Sequence, residues 1–503
     1  MSLFPMISGS TRVRLVQSSA VLAAAALVAG CGNNYRPVVT PINPSGPAAQ
    51  PTSYAVVVSS PSPTTPGIVT ILDYSGDTVM AIAPIGPGPR TFVIDQLGST
   101  GYTLNSDGTL ANFPITTSLQ AKMVTYSTLA SNAAPLNFMA PSAGLWATDL
   151  TGNVVDIFQL SPASFKLAVP VPPTPIAVVG SPTLSGQREY VVSQNFSDPT
   201  GLACNISPAT QPNGVVTPIE IQSYTTDPGI TVGKCPVYAI PSADTKRLFV
   251  LNRGSDTVSV ISGQTNALNQ CTPFIDGQTG RTVSCHPTLP LSTGAVTASG
   301  ITPPNGTAGM TATAEPVYAE YNTATSQLIV ANYAGGTITL IDVSLDQFGN
   351  DSPTFGTTYT IPVGKNPASV TVLYDGSRAY TANQTDGTVT IANLVSHTVE
   401  KTLTVVGHPR TIVSTQNSLY GKVYVASPDS PYVTILSTTT DLVDTTVLVQ
   451  GNVLDIRTTT QNAISGNANV TSRTPGYGEP CNLPGLPAPT GSQTALQACQ
   501  AVP

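Results

Sequence analysis

The sequence predicts an all-β chain closed into a single β-propeller of four-stranded antiparallel blades, eight blades with seven as the alternative. Three observations predict it. Charged residues are only 9% of the 503 residues while glycine (42) and proline (46) are abundant, a composition that disfavours helices and suits short strands joined by turns. A unit of four β-branched, roughly alternating runs recurs along the chain, with turn residues between the runs and no helical stretch. The first such run fits the second place in a unit and the last fits the first place, so the two ends complete each other.

The unit is clearest between 364 and 460. Gly364-Lys-Asn-Pro367 opens one copy, followed by runs 368–373, 378–383, 388–394 and 398–406. Gly407-His-Pro409 opens the next, with runs 410–415, 422–427, 432–437 and 442–449. Proline marks each opening: Pro89, Pro135, Pro175, Pro236, Pro316, Pro367 and Pro409, with Asn452 in its place at the end. Proline fixes φ and lacks an N–H, so it belongs at the first residue of a strand rather than its middle. The openings recur at roughly the 40–50 residues of a four-stranded blade, apart from Pro175 to Pro236 and Pro236 to Pro316, where insertions are expected over about 196–230 and 262–314. Trp146, the single tryptophan, falls within a run and is expected in blade core.

The second run of each unit reads Leu248-Phe-Val-Leu-Asn252, Leu328-Ile-Val-Ala-Asn332, Ala379-Tyr-Thr-Ala-Asn383 and Val423-Tyr-Val-Ala-Ser427; the third includes Thr337-Ile-Thr-Leu-Ile341 and Thr388-Val-Thr-Ile391. Over roughly 230–460, and more faintly over 54–200, the chain resembles the bacterial surface-layer β-propeller proteins with Tyr-Val-Thr-Asn repeats (the YncE-like group). Ring closure follows from register: the chain enters on a second strand at Tyr54 and ends its repeats on a first strand, Val453 to Arg457, which removes both free sheet edges.

Residues 1–30 read as an export signal. Arg12 and Arg14 precede an apolar stretch, too short for a comfortable membrane span, that ends Leu27-Val-Ala-Gly-Cys31. This ending resembles a bacterial lipoprotein cleavage box, which implies lipidation of Cys31 and anchoring by several acyl chains. Residues 31–52 would then be a flexible tether, 53–460 the propeller and 461–503 a polar tail. Six further cysteines, in sequence order, suggest the disulfides Cys204–Cys235, Cys271–Cys285 and Cys481–Cys499; with no C-x-x-C pair, disulfides are favoured over a metal site. The expected location is the bacterial envelope: outer membrane, periplasm or cell surface.

A net charge of −7 argues against nucleic acid as a partner. The sequence has no G-x-S-x-G, H-E-x-x-H, P-loop or EF-hand spacing, and its three histidines, His286, His397 and His408, are far apart. No catalytic residue, metal site or cofactor is therefore expected; histidine-rich metal centres are excluded, whereas a carboxylate-bound Ca²⁺ in the channel is not. The expected function is that of a monomeric binding scaffold for a protein, glycan or anionic small molecule. The alternatives are a channel enzyme of lactonase-like or quinoprotein-like type, and a structural envelope component. The candidate site is one mouth of the channel, where loops entering the first strands meet turns between second and third strands. It draws on Arg90, Lys234, Arg253, Asn332, Lys365, Asn383, His408 and Arg410, a cationic rim suited to an anionic ligand, with Asn252, Asp256, Tyr333, Asp386 and Asp429 beside it. Asparagine and aspartate are also ordinary turn formers.

Overall fold

The computed structural model describes residues 53–459 apart from internal stretches, the longest of which are 181–187 and 292–313. The proposed lipidation site Cys31 and the pair Cys481 and Cys499 lie outside the described residues.

Eight antiparallel sheets form eight blades, numbered here along the chain. In blade 1 the order from the axis outward is Asn452–Thr458, Tyr54–Ser60, Pro66–Asp73 and Val79–Pro87. Blades 2 to 7 open on Pro89–Ile94, Pro135–Met139, Pro175–Gly180, Pro236–Pro241, Pro316–Asn322 and Pro367–Val372, and blade 8 on Thr411–Ser414. Each opening strand packs against those of the blades on either side, and the contacts run round from Asn452–Thr458 back to itself. These strands therefore line the axis. The ring closes where the last strand pairs with the first, Ala55 opposite Thr458 and Ser60 opposite Asn452, as the register of the sequence requires.

Burial follows distance from the axis. Pro367–Val372 is buried throughout, whereas the outermost strand of blade 8, Leu442–Leu448, is largely exposed. The core is correspondingly a set of apolar layers between neighbouring blades, of which Val317, Ala319, Val370 and Val372 are one example, and Trp146 is fully buried in another. Two ion pairs tie blades together at the end of the ring where the chain enters. Arg378 of blade 7 meets Asp441 in a turn of blade 8, and Lys422 of blade 8 meets Asp77 in a turn of blade 1. Arg247 of blade 5 reaches Asp351 of blade 6 in the same way at 2.9 Å, with both side chains buried.

The prolines act as the sequence suggests. Pro89, Pro236, Pro316 and Pro367 each sit opposite an asparagine at the end of the second strand, and a bulge follows immediately. The residue before each proline is left-handed: Gly88, Thr174, Cys235, Glu315 and Asn366 all have φ between 45° and 58°. A lost N–H and a bulge are compatible because both fall where the ladder is already interrupted.

The two insertions take different forms. The first carries two short helical turns, Ala203–Ile206 and Pro208–Thr210, and is joined to the entry of blade 5 by Cys204–Cys235. The second splits the outermost strand of blade 5 into Ala267–Leu268 and Thr288–Pro290, both pairing with Thr257–Ser262. Between the halves a small hairpin, Phe274–Ile275 with Thr282–Val283, projects beyond a neck closed by Cys271–Cys285.

Candidate functional site

The mouth is built by one repeated device. The second strand ends in an asparagine whose amide turns inward along the third strand. Asn252 donates to Thr257 Oγ1 and Ser259 Oγ at 3.2 and 2.9 Å, Asn332 to Thr337 and Thr339 at 3.0 and 2.8 Å, and Asn383 to Thr388 and Thr390 at 3.1 and 2.8 Å. The entry loop then crosses over this amide. A Cβ on Gly233 or Gly364 would lie 2.6 Å from the side chain of Asn252 or Asn383, so only glycine fits the crossing. Backbone bonds complete the lock: the N–H groups of Arg253, Tyr333 and Gln384 donate to the carbonyls of Cys235, Glu315 and Asn366.

The structure brings the sequence-predicted residues to this mouth in unequal states. Asn332 and Asn383 are fully buried, their amide hydrogens engaged by threonines of the next strand. The Arg253 side chain is 1% exposed and donates from Nε and Nη2 to Glu315 Oε2 at 3.1 and 2.8 Å. Arg410 is buried and donates from Nη2 to the carbonyl of Leu454 in blade 1. Lys234 Nζ donates to the carbonyl of Ala209 at 2.9 Å. His408 meets Asp429 through both its backbone N–H and Nδ1. Lys365 is exposed, and its backbone N–H donates to Asp386 Oδ2 at 2.7 Å. Arg90 occupies the bulge position of blade 2, and its side chain lies outside the described residues. Several of these cations thus have a carboxylate or carbonyl of the loops as their partner, and Lys365 presents the most open charge among those described.

Sequence reasoning missed three buried acids. In blade 4, Glu189 occupies the place held in the other blades by Val56, Gly101, Leu145, Leu248, Leu328, Ala379 and Val423. Its carboxyl folds over Gly180, where a Cβ would lie 2.2 Å from Oε2, and burial pushes it well above the usual carboxylate range. In blade 3, Asp149 and Asp156 replace the amide and hydroxyl of the repeated device: Asp149 stands where Asn332 does and Asp156 where Thr339 does. Burial, reinforced by the charge of Asp149, raises Asp156 to about 6. The signal for Glu189 was available, because an acid in a run whose counterparts are apolar breaks the pattern of Arg188-Glu-Tyr-Val-Val-Ser193. Among the described residues, no three His, Cys, Asp or Glu side chains gather as a metal centre would require.

No family model and no curated relative matches the sequence. Solved structures do. Apo AztD from Citrobacter koseri superposes with a TM-score of 0.51 at 12% identity, covering 81% of this chain and 97% of its own. The dihydro-heme d1 dehydrogenase NirN superposes with a TM-score of 0.51 at 13% identity, covering 84% of this chain and 78% of its own. The fold is that of the β-propellers. At this identity the likeness carries the architecture and nothing of the chemistry. The disulfides Cys204–Cys235 and Cys271–Cys285 add that the chain matures outside a reducing cytoplasm.

Proposed function

We propose that the chain is a lipid-anchored binding scaffold of the bacterial envelope, akin to the Tyr-Val-Thr-Asn-repeat propellers. The projection of blade 5 would be its main contact for a protein partner. The observation that carries this reading is the effort spent on an element no blade needs. Residues 269–287 interrupt an outer strand, are closed at the neck by a disulfide, and are seated on blade 6 by the buried carboxylate of Asp351. That carboxylate accepts from Arg247 Nη2, Asn269 Nδ2 and the backbone N–H of His286 at 2.8 to 3.1 Å, and it also contacts His286 Nδ1. Arg281 adds a bond to Asp346 at 2.7 Å. The hairpin held in this way exposes Phe274 and Ile275, the latter at 71%, and aromatic and aliphatic anchors on a rigid support suit a protein contact.

Capture from envelope extracts tests this. Phe274→Ser with Ile275→Ser is expected to lose the captured protein, and Lys365→Glu is expected to retain it. Capture unaffected by the hairpin substitutions overturns the assignment. Loss with Lys365→Glu alone would transfer the site to the mouth and favour an anionic ligand there.

A further inference from the structure

Leu419 and Tyr420 are held out into solvent by a loop that is anything but loose. They are 63% and 85% exposed, in the turn between the first two strands of blade 8. Tyr420 has φ 57° and Gln416 φ 66°, a left-handed conformation that side-chain-bearing residues adopt only under constraint. The constraints are visible. Tyr420 N–H donates to Thr439 Oγ1 at 2.8 Å, its carbonyl accepts from Tyr74 Oη at 3.3 Å, and Arg378 Nη2 binds the carbonyl of Ser418 at 2.9 Å. Tyr374, 43% exposed, adjoins the loop through its N–H to the carbonyl of Gln416.

The surroundings say what this surface meets. The nearby cations are engaged: Arg378 with Asp441 and Lys422 with Asp77, while Lys401 Nζ donates to the carbonyl of Thr440. The open charges nearby are carboxylates: Asp375, which caps its own turn by accepting from Ser377, and Glu400, which acts on Arg378. An apolar, tyrosine-bearing patch with paired charges suits the headgroup region of a bilayer, where tyrosine sits with its ring inward and hydroxyl wet. The patch also lies where the chain enters. The first described strand starts at Tyr54, at the same end of the ring, and Tyr74 of its neighbouring strand touches the Tyr420 loop. Residues 31–52 separate Cys31 from that point in the sequence.

We infer that the turn bearing Leu419 and Tyr420, with Tyr374 beside it, rests on the bilayer surface, zwitterionic lipid being preferred because Asp375 opposes anionic headgroups. The inference rests on the lipid-anchor reading for its biological setting, and its test does not need the anchor. The chain from residue 31 onward carrying Cys31→Ser, which removes both the lipid and the apolar export stretch, is floated with phosphatidylcholine–phosphatidylethanolamine vesicles. Leu419→Ser with Tyr420→Asn, asparagine being tolerant of the left-handed conformation, is expected to lower the vesicle-bound fraction at least tenfold with an unchanged melting curve. In a second variant, Leu419→Trp, brominated lipids are expected to quench the new emission. Equal flotation of the two proteins, absence of flotation by both, or an unquenched Leu419→Trp overturns the inference. Flotation gained only on deleting 460–503 also overturns it, because that tail would then be the occupant. Cell fractionation with and without Cys31→Ser tests the anchor separately.

Discussion

Lys422 and Asp77 form an ion pair across the seam of the ring, from blade 8 to blade 1, with 14% and 13% of their side chains exposed. The pair joins the two ends of the chain independently of the closing strand. Removal of one partner strands a largely buried charge, so Lys422→Met is expected to cost about 1–3 kcal/mol. Adding Asp77→Asn should restore part of that, and a double-mutant cycle in urea measures the coupling.

The amide of Asn383 is a fastening between strands and not a free ligand contact. Asn383→Asp replaces its donors with acceptors facing Thr388 and Thr390, at an expected cost of about 2–3 kcal/mol. Gly364→Ala, whose Cβ meets the same amide, should destabilise to a similar extent. Urea midpoints of both variants check this.

The Asp149–Asp156 pair makes stability depend on pH in a defined direction. The folded value of Asp156, about 6, lies above that of an unfolded aspartate near ~4. Its contribution is therefore complete below pH ~4 and is lost as pH rises through about 6. Asp156→Asn removes that loss, so the variant should gain roughly 2–3 kcal/mol on the parent between pH 4 and pH 8. Glu189, also raised, acts with the same sign, and Glu189→Leu should flatten the profile further. Unfolding curves across that range decide both cases.

Reduction of Cys271–Cys285 should loosen the projection more than the ring. The bond closes a short neck outside the blade ladder, and a loop of this size is worth about 3 kcal/mol to local order. Protease cleavage within 272–284 should rise sharply in Cys271→Ser with Cys285→Ser, while the blade amides keep their exchange protection.

The architecture was legible because blades 5, 6 and 7 repeat a local rule in full (proline, bulge, asparagine, then a Thr-x-Thr or Thr-x-Ser strand) and the other blades keep parts of it. Tyr54 and Arg457 could be assigned to the same sheet because a period of two leaves little freedom of register. The mouth was less legible. Loop position is local, but whether Arg253 is free depends on Glu315, 62 residues away, and no spacing announces that partner. The same holds for Arg378 and Lys422, whose partners Asp441 and Asp77 lie in the following blades and are announced by no spacing.

The strand Asn452–Thr458 is among the last parts of the propeller to leave the ribosome, yet it is the innermost of the first blade. Until it arrives, Tyr54–Ser60 has an unpaired edge facing the axis, and the seven intervening blades have no fixed circumference. A product terminated before Asn452 would thus be an open arc with sticky flanks rather than a slightly shorter ring. Closure of the circle must therefore wait for this strand, the last of the repeats.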